Sequence, residues 1–363
     1  MAQSAGSGGV SLRKTTGNRQ PQTKYFYLAA LFAVIAIAGL FYVKWNPYYQ
    51  KALLAAAKHS IGSSIISGQM GTAPEPSWAA AWGYAAAYFK SVWKAVILGL
   101  LLGSLVQVLL PKDWIYRMFG KTSFAGTAMG GIAAIPSMMC TCCAAPVAVG
   151  LRKSSASPGA SLSFWLANPL LNPATIIFMG FVLSWKFALL RIVAGAVLVL
   201  GLGYVANVVM KDTKEVERVL PENPNAALTG NLFVRWLKVL GPLVRDTIPA
   251  YLIMVFVLGA LRAWLFPAVN PGWAGGILAI VGMAIVGTAF IIPTAAEIPI
   301  VQTLMSFGLG VGPGAALLVT LPAISIPSLI MVKRVFSLRL LLIVTGAVAL
   351  AGGISGLVAM SLF

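Results

Sequence analysis

From residue 25 onward the chain alternates long apolar runs with short joints that carry lysine, arginine, proline and glycine. The runs reach the roughly 20 residues needed to cross the hydrocarbon of a bilayer. The first, over 25–43, ends at Lys44-Trp45-Asn46-Pro47-Tyr48-Tyr49, a composition typical of a membrane interface. It reads as an anchor helix, with no small-residue cleavage site of a signal peptide. Residues 51–66 are mixed and read as a segment lying along the membrane surface, followed by a Gly71-Thr-Ala-Pro-Glu75-Pro loop. Before residue 25 the chain is polar, rich in glycine and serine, and basic, which predicts a disordered tail.

The remaining pattern repeats. Leu102-Gly103-Ser104-Leu105 running to Pro111 aligns with Leu258-Gly259-Ala260-Leu261 running to Pro267. Pro136 matches Pro293, and Ser157-Pro158-Gly159-Ala160 matches Gly312-Pro313-Gly314-Ala315. Asn168-Pro169 and Asn172-Pro173 match Leu321-Pro322 and Ser325-Ile326-Pro327, with one residue inserted in the second copy. Ordered recurrence of proline and glycine marks a duplicated unit, a feature of transporters. The organisation read from this is a basic tail over 1–24, an anchor helix and outer loop over 25–81, a first unit over 82–210, a linker over 211–232 and a second unit over 233–363.

Composition excludes a soluble domain. Of 363 residues, 59% are hydrophobic and 9% charged, with mean hydropathy +0.89, against roughly 25% charged residues in soluble domains. The net charge of +18 does not point to nucleic acid, because the cations fall in the joints between apolar runs, as the positive-inside rule expects. Placing Lys112, Arg152, Lys153, Arg245 and Arg334 on the cytoplasmic side requires 122–151 and 272–310 to be re-entrant hairpins rather than full spans. The fold class that follows is all-α: a polytopic membrane protein built as an inverted-repeat transporter. It has about seven full spans, two re-entrant hairpins and broken helices. The N-terminus is expected in the cytoplasm and the C-terminus outside. A bacterial cytoplasmic (inner) membrane is the expected location.

The chemistry concentrates at the hairpin tips. All three cysteines fall in Met138-Met139-Cys140-Thr141-Cys142-Cys143, between Pro136 and Pro146. The second tip runs Pro293-Thr294-Ala-Ala-Glu297-Ile-Pro299. Non-helical backbone at membrane depth persists only where protein or a polar cavity surrounds it. Four breaks, two of them at Asn168–Pro173 and Pro322–Pro327, are therefore expected to converge on one central site. Glu297 is the one carboxylate expected at depth, and an intramembrane ionisable residue is a functional candidate; it is assigned to coupling. Buried thiols stay largely protonated. A trivalent arsenic hydroxide condenses with neutral thiols, releasing water and leaving an uncharged adduct. Soft cations such as Cu(I) or Hg(II) also suit sulfur, while hard divalent cations prefer carboxylates.

The residues from Gly130-Gly131 to Pro136, then Cys140-Thr141-Cys142-Cys143-Ala-Ala-Pro146, Arg152-Lys153, Pro158-Gly159 and Asn168-Pro169…Asn172-Pro173, resemble a known family. It is the predicted-permease family that includes the ArsP-type organoarsenical efflux permeases. The resemblance covers roughly residues 90–345. The family's usual Cys-Ser-Cys-Gly is altered here, with Thr141 for the serine and Cys143 for the glycine. The resemblance implies export of a small molecule, a trivalent organoarsenical held through Cys140 and Cys142.

The substrate-binding set is therefore Cys140, Cys142, Cys143, Met139, Asn168, Asn172 and Ser325. The three cysteines would be metal ligands only if the cargo is a soft metal or metalloid. Asn168, Asn172 and Ser325 serve equally well as caps of broken helices. Asp246 and Arg262 read as interfacial anchors, and His59 as an inert outer-loop residue. No enzyme activity and no cofactor is expected. The partners are a small-molecule cargo and the lipid bilayer, without nucleic acid; a homo-oligomer is left open. The competing classes are a soft-metal (Cu/Hg) transporter, a non-transporting membrane subunit and a thiol redox carrier. The second unit lacks cysteine, which disfavours the redox carrier, and adjacent Cys142 and Cys143 would close only a strained disulfide.

Overall fold

The computed structural model describes residues 22–66, 73–210, 231–266 and 274–363. The tail expected over 1–24 and the linker over 211–232 fall, but for their last residues, outside the described set, as does most of the outer loop 267–275. Among the described residues, seven helical stretches are long and apolar enough to cross a membrane. The first does not stop at the Lys44–Tyr49 belt. Helix α1 (Gln22–Leu40) continues through a π-helical segment, Phe41–Trp45, into α2 (Asn46–Lys58). Pro47 lies inside this continuous helix, just after the π segment, and leaves one helical carbonyl without its donor. The first half of the surface segment expected over 51–66 is thus the end of one long helix.

The first unit consists of α3 (Trp78–Leu109), α4 (Lys112–Phe119), α5 (Phe124–Ala134), α6 (Thr141–Lys153), α7 (Pro158–Leu170), α8 (Pro173–Val182) and α9 (Trp185–Val209). The second consists of α10 (Leu232–Leu265), α11 (Ile277–Ala289), α12 (Glu297–Ser306), α13 (Val311–Ala323), α14 (Ile326–Val332) and α15 (Leu338–Leu362). Serine caps many of the N-termini: the side chains of Ser77, Ser123, Ser157, Ser184 and Ser337 each accept a backbone N–H from the first turn, worth about 1 kcal/mol apiece.

The two units make matching contacts. Both α5 and α6 pack on α7, and both α11 and α12 pack on α13. Each pair doubles back to its starting level: Ser157 N–H donates to the Phe119 carbonyl (2.7 Å) and Gly310 N–H to the Ala274 carbonyl (2.9 Å). At the two turns between short helices, Met138 and Ala295 both take left-handed backbone conformations, φ 48° and 69°. They lie 157 residues apart, as do Pro136 and Pro293. Such backbone in a residue with a side chain costs about 1–3 kcal/mol and is characteristic of functional sites. From the following helix the register changes. Gly159 lies against the Gly203 carbonyl and Gly312 against the Gly356 carbonyl. Gly159 therefore corresponds to Gly312, and the sequence match of Ser157–Ala160 to Gly312–Ala315 is two residues out.

The core lies where α3, α6, α7 and α13 meet. Gly99-x-x-x-Gly103 of α3 faces α6 so closely that a Cβ on Gly99 would strike the Cys143 carbonyl, and one on Gly103 the Pro146 carbonyl. Small residues at that spacing let apolar helices pack backbone against backbone, where dispersion and interhelical contacts supply the attraction. The outer faces of α1, α9, α11 and α15 carry exposed Phe26, Val197, Leu278 and Leu357, an apolar exterior suited to lipid. At one end, Arg334 and Arg245 pair with Asp246, and Lys153 borders the same small cavity. Three basic joints that charge counting assigned to a single face therefore do meet.

Candidate functional site

The non-helical stretch at the first tip is shorter than the Pro136–Pro146 span expected. A 3-10 turn at Ile135–Ser137 leads to left-handed Met138, and α6 already begins at Thr141. Cys142, Cys143 and Pro146 are therefore helical. This decides where the thiols point. Cys140 caps α6 and Cys143 follows one turn later, so their Sγ atoms stand 3.0 Å apart. Residues two apart on a helix face different ways, and Cys142 points to Ser325, with Sγ 3.6 Å from Oγ. The expected Cys140–Cys142 pair is thus replaced in space by Cys140–Cys143. All three are buried free thiols. They do not gather as a three-sulfur metal site, and no group of three His, Cys, Asp or Glu among the described residues is placed to hold a metal ion.

The amide and hydroxyl candidates serve the backbone. Asn168 Oδ1 accepts the Met139 N–H (3.2 Å) and the Ser137 hydroxyl, while Nδ2 donates to the Phe164 carbonyl (2.9 Å). It pins the first tip to α7. Asn172 caps α8, accepting the Ala174 N–H at 3.0 Å, and its buried Nδ2 has no protein partner. Ser325 caps α14 in a reciprocal arrangement with Ser328. Met139 is buried beside the tip.

Glu297 opens α12 at the second tip, 157 residues after Cys140, so the two distinctive residues occupy matching positions. Sequence reasoning missed its partner. Arg191 of α9 donates from Nη1 to Glu297 Oε1 at 2.7 Å, with both side chains 1% exposed. Arg191 also donates to the carbonyls of Leu170 (Nε, 3.2 Å) and Pro169 (Nη2, 2.5 Å). Pro173 and the α7 break leave those carbonyls without helical donors, and the guanidinium supplies them. Glu297 Oε2 is buried without a hydrogen-bond partner. A cation well beyond the terminal Lys186, inside a 25-residue apolar helix, was the available signal.

The π segment brings α1 and α2 into the site. Trp45 Nε1 donates to the Pro136 carbonyl of the first tip (2.7 Å), and Lys44 Nζ donates to Thr294 Oγ1 of the second (3.2 Å). Lys44 is buried and also donates to the Tyr48 hydroxyl (3.1 Å). On the other side, Tyr84 donates to the Ile291 carbonyl (2.5 Å), and the Tyr88 and Tyr251 hydroxyls stand 2.7 Å apart. Cys140, Thr141, Pro169, Thr294, Glu297 and Pro322 border one small cavity, so both tips and both broken helices do converge.

Comparison with known proteins gives this geometry a family. The family described as predicted permease matches residues 95–360. The chain belongs to that permease family. It is 49% identical to the UPF0718 protein YraQ of Escherichia coli (strain K12) over 331 residues, 90% of this chain and 93% of that protein. The permease is also 22% identical to the UPF0718 protein MJ0584 of Methanocaldococcus jannaschii over 316 residues, 69% of this chain and 87% of the relative. No solved structure matches it. The 95–360 segment matched by the family contains both tips, Arg191 and both broken helices, but not Lys44 or Trp45. Family and apolar helices together make this a multi-pass membrane protein of a permease family.

Proposed function

We propose that this permease exports a small thiol-reactive solute, with a trivalent organoarsenical as the type of cargo, across a bacterial cytoplasmic membrane. The two helix–turn–helix pairs are re-entrant hairpins of inverted units, and their tips form the cargo site. The observation that carries this reading is the convergence of the Cys140–Cys143 thiol pair with the Glu297 tip on the Asn168–Pro173 and Pro322–Pro327 breaks. Two neighbouring neutral thiols condense with a trivalent arsenic dihydroxide: two S–As bonds form, two As–O bonds break and two waters leave. The product is uncharged, which matters where an unpaired ion is costly. Cys142, on the opposite face, sets the packing against α14 rather than binding cargo. Glu297 is the coupling group, and exchange of a proton or cation there requires the Arg191 contact to open.

The test is resistance and uptake in cells that lack their own arsenical exporters, with methylarsenite, arsenite, Hg(II) and Cu(I) compared. Cys140→Ser and Cys143→Ser are each expected to abolish resistance to the organoarsenical at normal membrane levels, while Cys142→Ser keeps most of it. Undiminished export by a variant lacking all three cysteines would end the thiol-ligand reading. The 3.0 Å Sγ separation also fits a dithiol couple. A redox carrier would instead show a reducible Cys140–Cys143 disulfide that follows the cell's thiol state, with no cargo moved.

A further inference from the structure

Beside the thiol site, and sharing Thr294 of the second tip with it, lies a far larger cavity of about 810 Å³, within the range of small-ligand sites. Its floor is the second tip, with Thr294 and Lys44, and its walls include Lys51, Lys90, Lys94 and Arg262. None of the described lining residues is acidic. No carboxylate among the described residues forms an ion pair with any of these five cations. The cavity lies on the Trp78 side of α3, away from the end where Lys153, Arg245 and Arg334 gather. Charge counting puts most of the chain's lysine and arginine at that other end, so five cations here run against the rule.

We propose that this cavity binds a small oxyanion, with Lys44 and Thr294 as its direct ligands. Lys44 is 4% exposed; its hydrogen bonds go to two neutral hydroxyls, Tyr48 and Thr294, and the Cys140 and Cys143 thiols lie within its electrostatic reach. No carboxylate among the described residues pairs with this buried ammonium, and an anion on its cavity side offsets the cost of burying the charge. An ammonium offers three N–H donors; two are engaged, which leaves one for a ligand oxygen. Lysine serves as a point-charge ligand for phosphate-like groups. Lys51, Lys90 and Lys94 are exposed and raise the local anion concentration along the entrance. A free ion fits better than a lipid headgroup, because the floor is enclosed by protein on the tip, the π segment, α2 and α3. The inference is independent of the cargo and of transport.

The experiment uses the full chain, purified in neutral detergent without added phospholipid. Thermal unfolding and calorimetry are followed while sodium sulfate or inorganic phosphate replaces chloride at constant ionic strength. Saturable stabilisation by sulfate or phosphate is expected. Lys44→Met should weaken binding by about tenfold or more, and Lys58→Gln, outside the cavity, should leave it unchanged. Should Lys44→Met fail to fold, the exposed pair Lys90→Gln/Lys94→Gln tests the same cavity, with a loss of roughly threefold expected. Equal stabilisation by chloride would overturn the oxyanion class. Binding unaffected by either cavity variant would overturn the site. A response only to phosphatidylglycerol in nanodiscs, with none to either free ion, would assign the charge to lipid and overturn the proposal as well.

Discussion

The buried Arg191–Glu297 pair is the most consequential side-chain contact in the molecule. Removing one partner of such a pair strands a charge and costs about 3–5 kcal/mol, whereas replacing both by apolar groups of similar size is often neutral. Arg191→Met is therefore expected to lower the unfolding temperature sharply, since it also orphans the Pro169 and Leu170 carbonyls. Glu297→Gln should be milder than Glu297→Leu, because the amide oxygen still accepts a hydrogen bond from Arg191. If Glu297 is the coupling group, Glu297→Gln also loses gradient-driven transport while keeping its fold. Wild-type transport with unchanged pH dependence would leave the pair purely structural. Glu297 and the cysteines were legible in the sequence because each is chemically out of place in an apolar run. Arg191 was out of place in the same way, yet its partner lies 106 residues away, and a pairing at that range has no local signature. The Cys140–Cys143 pairing needed one more fact, that α6 starts at Thr141 and places the two a turn apart.

At the scale of elements, proline and glycine carried most of the information. Both tips, both broken helices and the duplicated order were legible, because proline removes a donor and glycine permits close approach. What could not be read was how far each break extends: Pro146 sits inside α6, and Pro47 inside the first long helix. Proline forbids a hydrogen bond, but neighbouring packing decides whether the helix resumes. The α3–α6 contact is such packing. Gly99→Leu is expected to separate the two helices and destabilise the protein by several kcal/mol, as overpacking and lost interhelical contact combine. The same change at Gly201, where nothing lies within 4 Å, should be tolerated. Equal tolerance at both positions, measured as folded protein recovered in detergent, would refute the close contact. The π segment also escaped sequence reasoning. π segments occur often at functional sites, and this one carries Lys44 to the second tip and Trp45 to the first. Trp45→Phe removes one hydrogen bond while keeping most of the ring. It should loosen the first tip and speed reaction of Cys140 with thiol reagents; an unchanged rate would deny the clamp.

For the whole molecule, the proposed function requires that two units each send a hairpin to a shared centre that opens to either side in turn. The basic joints at Lys153, Arg245 and Arg334 meet at one end, and the wide basic cavity opens toward the other. Cys140 and Cys143 lie between, nearly inaccessible in this conformation. The most direct test needs no knowledge of the cargo. Membrane-impermeant thiol reagents are applied to sealed right-side-out and inside-out vesicles containing the native chain, and modification of Cys140 and Cys143 is read by mass spectrometry. Alternating access predicts that both thiols react from each face, at different rates. Reaction from one face only, or from neither until the protein is denatured, would contradict it.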